Sequence, residues 1–403
     1  MRRLLPLIGP ALVAGVAYLD PGNVASNISA GAKYGFLLLW VVVLGNLIAW
    51  LVQYLSAKLG IVTGKSLPEL IGQRINNSWA RRAFWVQAEL VAMATDLAEI
   101  LGGAIALYLL FGLPLIWGGL ITGALSLGLL SLHRRAGGKF FERIIIGLLI
   151  VIALGFGIGV IVSPPNPGDV AAGLIPGFDG LTSVLLAASI LGATVMPHAV
   201  YAHSGLTRDR FGQVAAGARR REVLRATRWD VTIALIVAGA VNIAILVVGA
   251  SLRGGSGVDD IFSAYASIAL ALGSTIAIFF GIALLASGLA STSVGAYAGG
   301  EIMSGLLNIR VPLLWRRVIS LIPAIVILAI GLNPLLVLIM SQVVLSFGIP
   351  FALIPLISFT RSRALMGDAA NARVTTILGS IAAGLIIVLN VALIVMLLSG
   401  TSL

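Results

Sequence analysis

Two proline-containing breaks carry most of the side chains in this sequence that could do chemistry, and each break lies within a long apolar stretch. The first is Asp-Pro-Gly-Asn at 20–23, and the second is Ala-Thr-Val-Met-Pro-His at 193–198. A carboxylate and an amide offer hard oxygen ligands, whereas a thioether and an imidazole offer softer ones, and this mixture suits a divalent transition-metal ion. Because a bilayer supplies no water to unpaired backbone groups, broken helix at that depth survives only inside protein or beside a polar cavity.

The first break predicts the oxygen-rich half of a metal site. Pro21 has no N–H and disfavours helical geometry at Asp20, and Gly22 lets the chain turn at low steric cost. The break also frees carbonyls near Ala17, so Asp20, Asn23 and Ala17 would supply three oxygens to a divalent cation. A plain loop turn is the alternative. We favour metal binding because an Asp at the centre of a membrane span is costly and by default functional.

The second break predicts the selective half of the same site. Pro197 removes a backbone donor, so the carbonyl of Ala193 one turn upstream loses its helical partner. Met196 offers a neutral sulfur, which Mg²⁺ and Ca²⁺ bind poorly and which Mn²⁺, Fe²⁺, Co²⁺ and Cd²⁺ accept far better. A Met in an apolar span is more often packing filler. Met196 lies beside a break that we expect to face the first break, and this position favours Met196 as a metal ligand.

Two histidines, His198 and His203, follow the second break. Their spacing of five places them on different but neighbouring faces of a helix. Histidine can relay protons, bind a metal or line a polar cavity. We expect His198 to line the path or relay protons, and His203 is a further candidate for that role.

Three carboxylates share one face of the third apolar segment. Glu89, Asp96 and Glu99 are spaced by seven and by three, which at 100° per residue puts them on one side of a helix. Such a row is typical of a proton relay. The alternative is structural pairing with arginine, for which Arg316 and Arg317 are the candidates. The two interpretations are compatible because a relay needs a proton exit.

Gln342 adds one more candidate ligand within an apolar segment. Its amide oxygen could join the cation in one conformation of the protein. The alternative is a hydrogen bond between helices, which is the commoner role of such residues. Both interpretations stay open at this point.

Composition identifies a polytopic membrane protein. The chain has 403 residues, of which 59% are hydrophobic and 10% are charged, and its mean hydropathy is +1.08. Soluble domains carry roughly 25% charged residues. The absence of cysteine excludes disulfides, thiolate metal sites and thiol nucleophiles. The net charge of +11 does not indicate a nucleic-acid partner, because the basic residues fall in alternate loops and no soluble module is present.

Hydropathy predicts eleven spans near the ~20 residues that a bilayer requires. In order, the spans are 6–30 (broken), 36–60, 82–110, 114–132, 141–163, 182–206 (broken), 228–251, 266–300, 313–331, 334–359 and 374–398. The breaks fall in spans 1 and 6, so the chain divides into two five-span repeats, 6–163 and 182–359, followed by an extra helix at 374–398. Since five is odd, the second repeat is inverted, and matched breaks in inverted repeats point to the substrate site of a transporter. We expect one transmembrane domain over 1–403.

The basic residues predict the orientation of the chain. One set of loops holds 24 Lys and Arg residues, and the opposite set holds only Lys33 and Arg253. Cytoplasmic loops carry the excess of basic residues. We therefore expect a plasma (inner) membrane protein with its N-terminus in the cytoplasm and its C-terminus outside.

These residues resemble the NRAMP family of proton-coupled divalent-metal transporters, and most closely its bacterial branch of manganese importers. The similarity covers essentially the whole chain, and the pair of break motifs is specific where either alone would not be. The matching segments are Asp20-Pro21-Gly22-Asn23, Met196-Pro197-His198, Ala17-Tyr18-Leu19, Gln87 to Glu99 and Ser341-Gln342-Val343.

The resemblance implies an all-α, LeuT-like inverted 5+5 fold with helices 1 and 6 unwound, plus an eleventh helix. It implies secondary import of Mn²⁺ or Fe²⁺, and also of Cd²⁺ or Co²⁺, together with protons and by alternating access. The implied metal ligands are Asp20, Asn23, Met196, the carbonyls of Ala17 and Ala193, and Gln342 in an occluded or inward state. The positions tied to proton movement are Asp20, His198, Glu89, Asp96 and Glu99.

Three other classes fit the residues less well. A sodium-coupled carrier of organic solutes would want a free helix N-terminus for a carboxylate, which Asp20 would repel. A channel is disfavoured by paired broken helices and the lack of a pore loop. A membrane enzyme is disfavoured because no nucleophile–base pair or zinc triad is evident. We expect no enzyme activity, no resident cofactor and no obligate protein partner.

Overall fold

The computed structural model describes residues 9–136, 138–253, 261–309 and 312–399, and it is all-helical over these ranges. Helix accounts for 87% of the structure, and no strand occurs in the described residues. This confirms the predicted all-α class. Three of the basic residues counted above for orientation lie outside the described residues, namely Arg2, Arg3 and Arg310.

Seventeen α-helices follow one another along the described chain. They are α1 (Pro10–Gly15), α2 (Pro21–Tyr34), α3 (Leu39–Thr63), α4 (Leu67–Arg74), α5 (Ser78–Phe111), α6 (Leu115–Ala136), α7 (Gly138–Val162), α8 (Pro167–Ala172), α9 (Gly180–Thr194), α10 (Pro197–Phe211), α11 (Ala218–Ser251), α12 (Ile261–Leu272), α13 (Ser274–Leu307), α14 (Leu313–Ile330), α15 (Pro334–Arg361), α16 (Arg363–Met366) and α17 (Arg373–Leu398).

The helices reproduce the predicted order of spans. Eight helical segments of the described chain are long and apolar enough to cross a membrane, with α9 and α10 taken together as one of them. These eight are predicted spans 2, 3, 5, 6, 7, 8, 10 and 11. The first predicted span is divided between α1 and α2, the fourth is α6, and the ninth is α14. The multi-pass membrane architecture is thereby confirmed, whereas the bounds of the two repeats stay a prediction.

Span 8 differs from its prediction at 266–300. Helix α13 runs from Ser274 to Leu307, and the residues before it form the separate helix α12. Gly273 divides the two helices at a φ of +99°, a backbone conformation that glycine adopts without a steric penalty. Both helices are apolar up to this glycine, so hydropathy alone offers no boundary between them.

The two broken spans lie at the centre of the bundle. Helices α9 and α10 are buried over nearly their whole length, whereas α7 and α17 present apolar side chains outwards. Helix α2 packs against α9 and α11, and α5 packs against α13 and α15. Because a lipid-facing helix can be apolar all round, this difference in burial separates the core of the protein from its rim.

Candidate metal site

The first break forms where the backbone changes from helix to extended geometry at Asp20. Helix α1 ends at Gly15 and is followed by a 3₁₀ turn, Val16–Leu19. Asp20 is extended, with φ −67° and ψ 162°, and its Oδ1 accepts a hydrogen bond from the N–H of Asn23 at 2.8 Å. Asp20 therefore caps the N-terminus of α2, which begins at Pro21 as proline at a first helical position favours.

Asp20 is a buried carboxylate that forms no ion pair with any described residue. Its side chain has no solvent exposure. Its Oδ2 accepts a hydrogen bond at 3.1 Å from Nε2 of Gln342, a neutral amide on α15. A buried charge without a cationic partner is strongly unfavourable, so this position favours either a proton or a bound cation.

Gln342 is the residue where the two broken spans meet. Its side chain reaches Asp20, and its backbone carbonyl lies so close to Gly192 on α9 that a Cβ there would collide with it. Its Oε1 is buried and has no hydrogen-bond partner in the structure. An unpartnered buried oxygen beside a carboxylate is an acceptor awaiting a proton donor or a metal ion.

The other oxygen groups of the first break are engaged within the protein. Asn23 donates from Nδ2 to the carbonyl of Tyr18, and its Oδ1 accepts from Nδ2 of Asn27. The carbonyl of Ala17 accepts from the N–H of Asp20 at 3.3 Å. The expectation of a freed Ala17 carbonyl is thus wrong, because the 3₁₀ turn supplies a partner. A carbonyl oxygen has two lone pairs, so one remains for a further contact.

The second break contributes a sulfur and a carbonyl. Helix α9 ends at Thr194 and α10 begins at Pro197, which leaves Val195 and Met196 outside regular helix. The carbonyl of Ala193 has no i+4 donor, since Pro197 lacks an N–H. Met196 and Ala193 have no solvent exposure, and the same is true of Ala17, Asp20, Asn23 and Gln342. All six predicted ligands are therefore shielded from water on both sides of the bundle.

The two histidines of α10 face different neighbours. His198 Nδ1 lies 3.1 Å from the Thr95 hydroxyl on the acidic helix α5, and its Nε2 has no hydrogen-bond partner in the structure. His203 Nδ1 lies 2.6 Å from Oε1 of Gln53 on α3, and Gln53 in turn donates to the hydroxyl of Tyr18. The structure thus joins His198 to the carboxylate helix, and it joins His203 through Gln53 to the side chain of Tyr18, which precedes the first break.

The carboxylates of α5 meet both arginines of α14, in what we call the carboxylate–arginine cluster (Glu89, Asp96, Glu99, Arg316 and Arg317). Arg317 donates from Nη1 to Asp96 at 2.5 Å and to Glu99 at 3.1 Å. Arg316 lies 3.0 Å from Glu89 and 3.6 Å from Asp96. The pairing with arginine that the sequence suggested is therefore present. The role of these groups in proton movement stays a prediction.

Sequence reasoning missed several polar side chains that support these groups. Thr95 bridges towards His198, and Gln53 links His203 to Tyr18. Ser287 on α13 donates to the carbonyl of Leu19 beside the break. The sequence does give a signal for Gln53, because it is an amide within an apolar span. Thr95 and Ser287 gave no signal, since hydroxyls are common in membrane helices and often bond their own backbone.

Comparisons with known proteins place this chain in a family. The family model described as "Nramp: Natural resistance-associated macrophage protein-like" matches residues 11–396. The chain is 56% identical over 395 residues to the "Divalent metal cation transporter MntH" of Mycobacterium tuberculosis (strain CDC 1551 / Oshkosh), an alignment covering 98% of this chain and 92% of the relative.

Solved structures show the same fold. A crystal structure of a variant of the Eremococcus coleocola manganese transporter superimposes with a TM-score of 0.86 at 33% identity, covering 96% of this chain and 86% of that one. Mhp1, a nucleobase-cation-symport-1 family transporter, superimposes with a TM-score of 0.60 at 15% identity, covering 98% and 91%, and so supports the fold alone. Together these matches confirm the LeuT-like fold. They also show that this chain, a transporter and not an enzyme, belongs to the Nramp family.

Proposed function

We propose that this protein is a secondary transporter that imports divalent transition-metal ions, Mn²⁺ or Fe²⁺ and also Cd²⁺ or Co²⁺, into the cytoplasm together with protons. The observation that carries the proposal is the fully buried Asp20, which has no cationic partner in the described residues and lies beside the unpartnered oxygen of Gln342. A relative at 56% identity is named a divalent metal cation transporter, and a structural relative is named a manganese transporter.

The metal ion would bind between the two breaks. Asp20, Asn23 and Met196 would supply side-chain ligands, and Ala17 and Ala193 would supply carbonyl oxygens. Asn23 and Gln342 now direct their Nδ2 and Nε2 to acceptors, so each amide would have to turn its oxygen inwards. One carboxylate against a +2 ion leaves the site under-neutralised. Binding should therefore be modest and reversible, as a transporter requires.

Protons would bind to the same carboxylate, Asp20, and would then leave along a route beside the metal site. Because a buried carboxylate favours either a proton or a metal ion, Asp20 would exchange one for the other, which gives a physical basis for coupling. From there a proton would pass by His198 to Glu99, Asp96 and Glu89. The hydroxyl of Thr95 bridges His198 to that helix.

Proton exit and the switch of access would complete the cycle. Arg316 and Arg317 would stabilise the deprotonated carboxylates near the cytoplasmic side. Full burial of all six ligands fits an occluded stage of an alternating-access cycle. In that cycle the half-helices at the breaks would move against α15 and open the site to one side of the membrane or the other. The N-terminus would be cytoplasmic and the protein would lie in the plasma (inner) membrane, with no nucleic-acid or obligate protein partner.

Metal uptake into proteoliposomes tests the proposal. A fluorescent dye that Mn²⁺ quenches would report metal entry, and a pH-sensitive dye would report proton entry in the same vesicles. Wild type should take up Mn²⁺ faster when the outside is acidic. Asp20→Ala should abolish uptake, and so should Asp20→Asn, which retains the ability to cap α2.

The control is Asp169→Asn, because Asp169 is an exposed carboxylate on α8 that the proposed path does not use. It should transport like wild type. Equal uptake by wild type and Asp20→Ala would overturn the assignment of the site.

A further inference from the structure

A charged cavity lies at the predicted cytoplasmic end of α15, far along this helix from Gln342. It has a volume of about 670 Å³ and is open to its surroundings. Four arginines line it, one from α4, one each from α15 and α16, and one from the start of α17. They are Arg74, Arg361, Arg363 and Arg373. We call this cavity the arginine pocket.

The positive charge of the arginine pocket is not neutralised by the described protein. None of its four arginines forms an ion pair with a described carboxylate, and all four are exposed. The one acidic residue between 358 and 377 is Asp368, which pairs with Arg220 instead. Lys58 donates to Asn371, a residue of the pocket wall, and so adds a fifth positive charge beside it. Like charges this close repel one another, so the pocket favours an anion.

Neighbouring polar and aromatic side chains add directional contacts to this charge. Arg74 lies over the ring of Phe359, 5.5 Å from its centroid, and its Nη1 is 3.5 Å from the hydroxyl of Ser358. Ser358 and Ser362 bring hydroxyl groups to the same wall. Planar guanidinium groups bind phosphate oxygens in pairs, and hydroxyls complete such a site.

An apolar surface continues from the pocket along the outer face of α17. Ile377 lines the pocket itself, and it is more than half exposed. Leu378 and Ile381 follow with similar exposure, and Leu385 and Val388 extend the same apolar surface. Acyl chains would lie on this surface while a headgroup occupied the arginines. This continuity of charge and apolar surface favours a lipid over a free anion.

We propose that the arginine pocket binds the phosphodiester headgroup of an anionic phospholipid of the cytoplasmic leaflet, with its acyl chains against α17. Basic pockets between membrane helices on the cytoplasmic side bind such headgroups. The lipid would bridge α4, α15 and α17. Helix α15 also carries Gln342, so the lipid would hold in place the helix that contacts Asp20.

Binding of defined lipids to the full-length purified protein tests this proposal. Native mass spectrometry would count bound dioleoylphosphatidylglycerol against dioleoylphosphatidylcholine, in the presence and absence of inorganic phosphate. The test variant is the pair R361Q and R373Q, one arginine from each side of the pocket. The matched control is the pair R221Q and R225Q, which removes the same charge from exposed positions on α11 that do not line the pocket.

Wild type and control should bind phosphatidylglycerol in preference to phosphatidylcholine, and the pocket variant should bind it about tenfold more weakly or worse. Phosphate at millimolar concentration should displace little of the lipid. The proposal is overturned if both variants lose binding equally, since the charge effect would then be general. It is equally overturned if the two lipids bind alike, or if phosphate alone binds tightly and displaces the lipid. Unaltered Mn²⁺ uptake by the pocket variant in phosphatidylcholine vesicles would show that it is folded.

Discussion

Two buried charged regions lie side by side in this bundle, and they handle charge in opposite ways. The proposed metal site, which we call the metal-site region (Ala17, Asp20, Asn23, Ala193, Met196 and Gln342), holds one carboxylate, Asp20, without a basic partner among the described residues. The carboxylate–arginine cluster holds three carboxylates and two arginines joined at 2.5 to 3.6 Å. Each region therefore has one more carboxylate than it has basic groups, but only Asp20 lies without a described basic group in contact with it.

If metal binds at the proposed site, a count of acidic residues does not locate it. No group of three or more His, Asp or Glu arranged to hold a metal ion occurs in the described part of the chain. The cluster is largely neutralised by its arginines, so it suits transfer of a single proton. The metal-site region combines one carboxylate with amide, carbonyl and thioether groups, so it suits a cation that is bound and then released.

The largest predicted difference between the regions concerns stability. Arg317 is 1% exposed and contacts Asp96 and Glu99, so Arg317→Gln leaves buried carboxylates without their partner. Breaking a buried ion pair typically lowers the free energy of unfolding by about 3–5 kcal/mol. Asp20→Asn removes an unpaired buried charge and should cause no such loss. Thermal unfolding of both variants in detergent, without metal, measures the contrast.

Arg316→Gln provides the control for this prediction. Arg316 has a more exposed partner, since the side chain of Glu89 is 15% exposed, and its contact with Asp96 is long at 3.6 Å. Its loss should therefore destabilise the protein less than loss of Arg317. Equal destabilisation by Arg317→Gln and Asp20→Asn would contradict the comparison.

The second prediction concerns stabilisation by the metal itself. A ligand at about 100 times its Kd stabilises the folded protein by about 2.7 kcal/mol. Mn²⁺ at that excess should raise the thermal midpoint of wild type and of Arg316→Gln, because the proposed metal site does not include the cluster. Mn²⁺ should leave the thermal midpoint of Asp20→Asn unchanged. A clear Mn²⁺-dependent shift in Asp20→Asn, or none in Arg316→Gln, would show that metal binds in the other region.

The backbone of the first break follows from the sequence more directly than the contacts of the carboxylate–arginine cluster, and the reason is physical. Asp20, Pro21 and Asn23 form a local motif, so their backbone geometry follows from neighbouring residues alone. The partners of Arg317 depend on how α14 packs against α5, which no local pattern specifies. For that reason the sequence identifies Arg316 and Arg317 only as candidate partners of the carboxylates, and it does not indicate the contact between His198 and Thr95.

The remaining errors have the same origin. The Ala17 carbonyl was expected to be free, but a 3₁₀ turn at the end of α1 gives it a partner. The boundary at Gly273 was hidden because apolar residues lie on both sides of it. Hydropathy identifies apolar length, whereas turn geometry and contacts between helices require the three-dimensional structure.

The third prediction tests the contact between Gln342 and the first break. A Cβ at position 22 would collide with the end of the Gln342 side chain, so Gly22→Ala should push that amide away from Asp20. We expect Mn²⁺ uptake to fall about tenfold, which corresponds to about 1.4 kcal/mol. The control is Gly157→Ala on α7, where an added Cβ meets nothing within 4 Å.

A double-mutant cycle separates this mechanism from a general disturbance of α2. On a Gln342→Ala background the added methyl group meets no long side chain, so Gly22→Ala should cause no further loss of uptake. An equal loss on both backgrounds would mean that the glycine serves the helix and not the contact with Gln342.

The last prediction concerns selectivity alone and depends on the softness of the one sulfur in the metal-site region. Met196→Ala removes a ligand that Mn²⁺ accepts and Ca²⁺ avoids, so Mn²⁺ uptake should persist while Ca²⁺ or Mg²⁺ uptake appears. We expect discrimination between Mn²⁺ and Ca²⁺ to fall by about tenfold, or about 1.4 kcal/mol. Competition of Ca²⁺ with Mn²⁺ uptake in proteoliposomes measures it. Met340→Ala is the matched control, because Met340 lies on the outer face of α15 and is 39% exposed. If Met196→Ala discriminates between Mn²⁺ and Ca²⁺ as well as Met340→Ala does, the sulfur packs against its neighbours without selecting the ion. Selectivity must then come from the oxygen ligands at the first break.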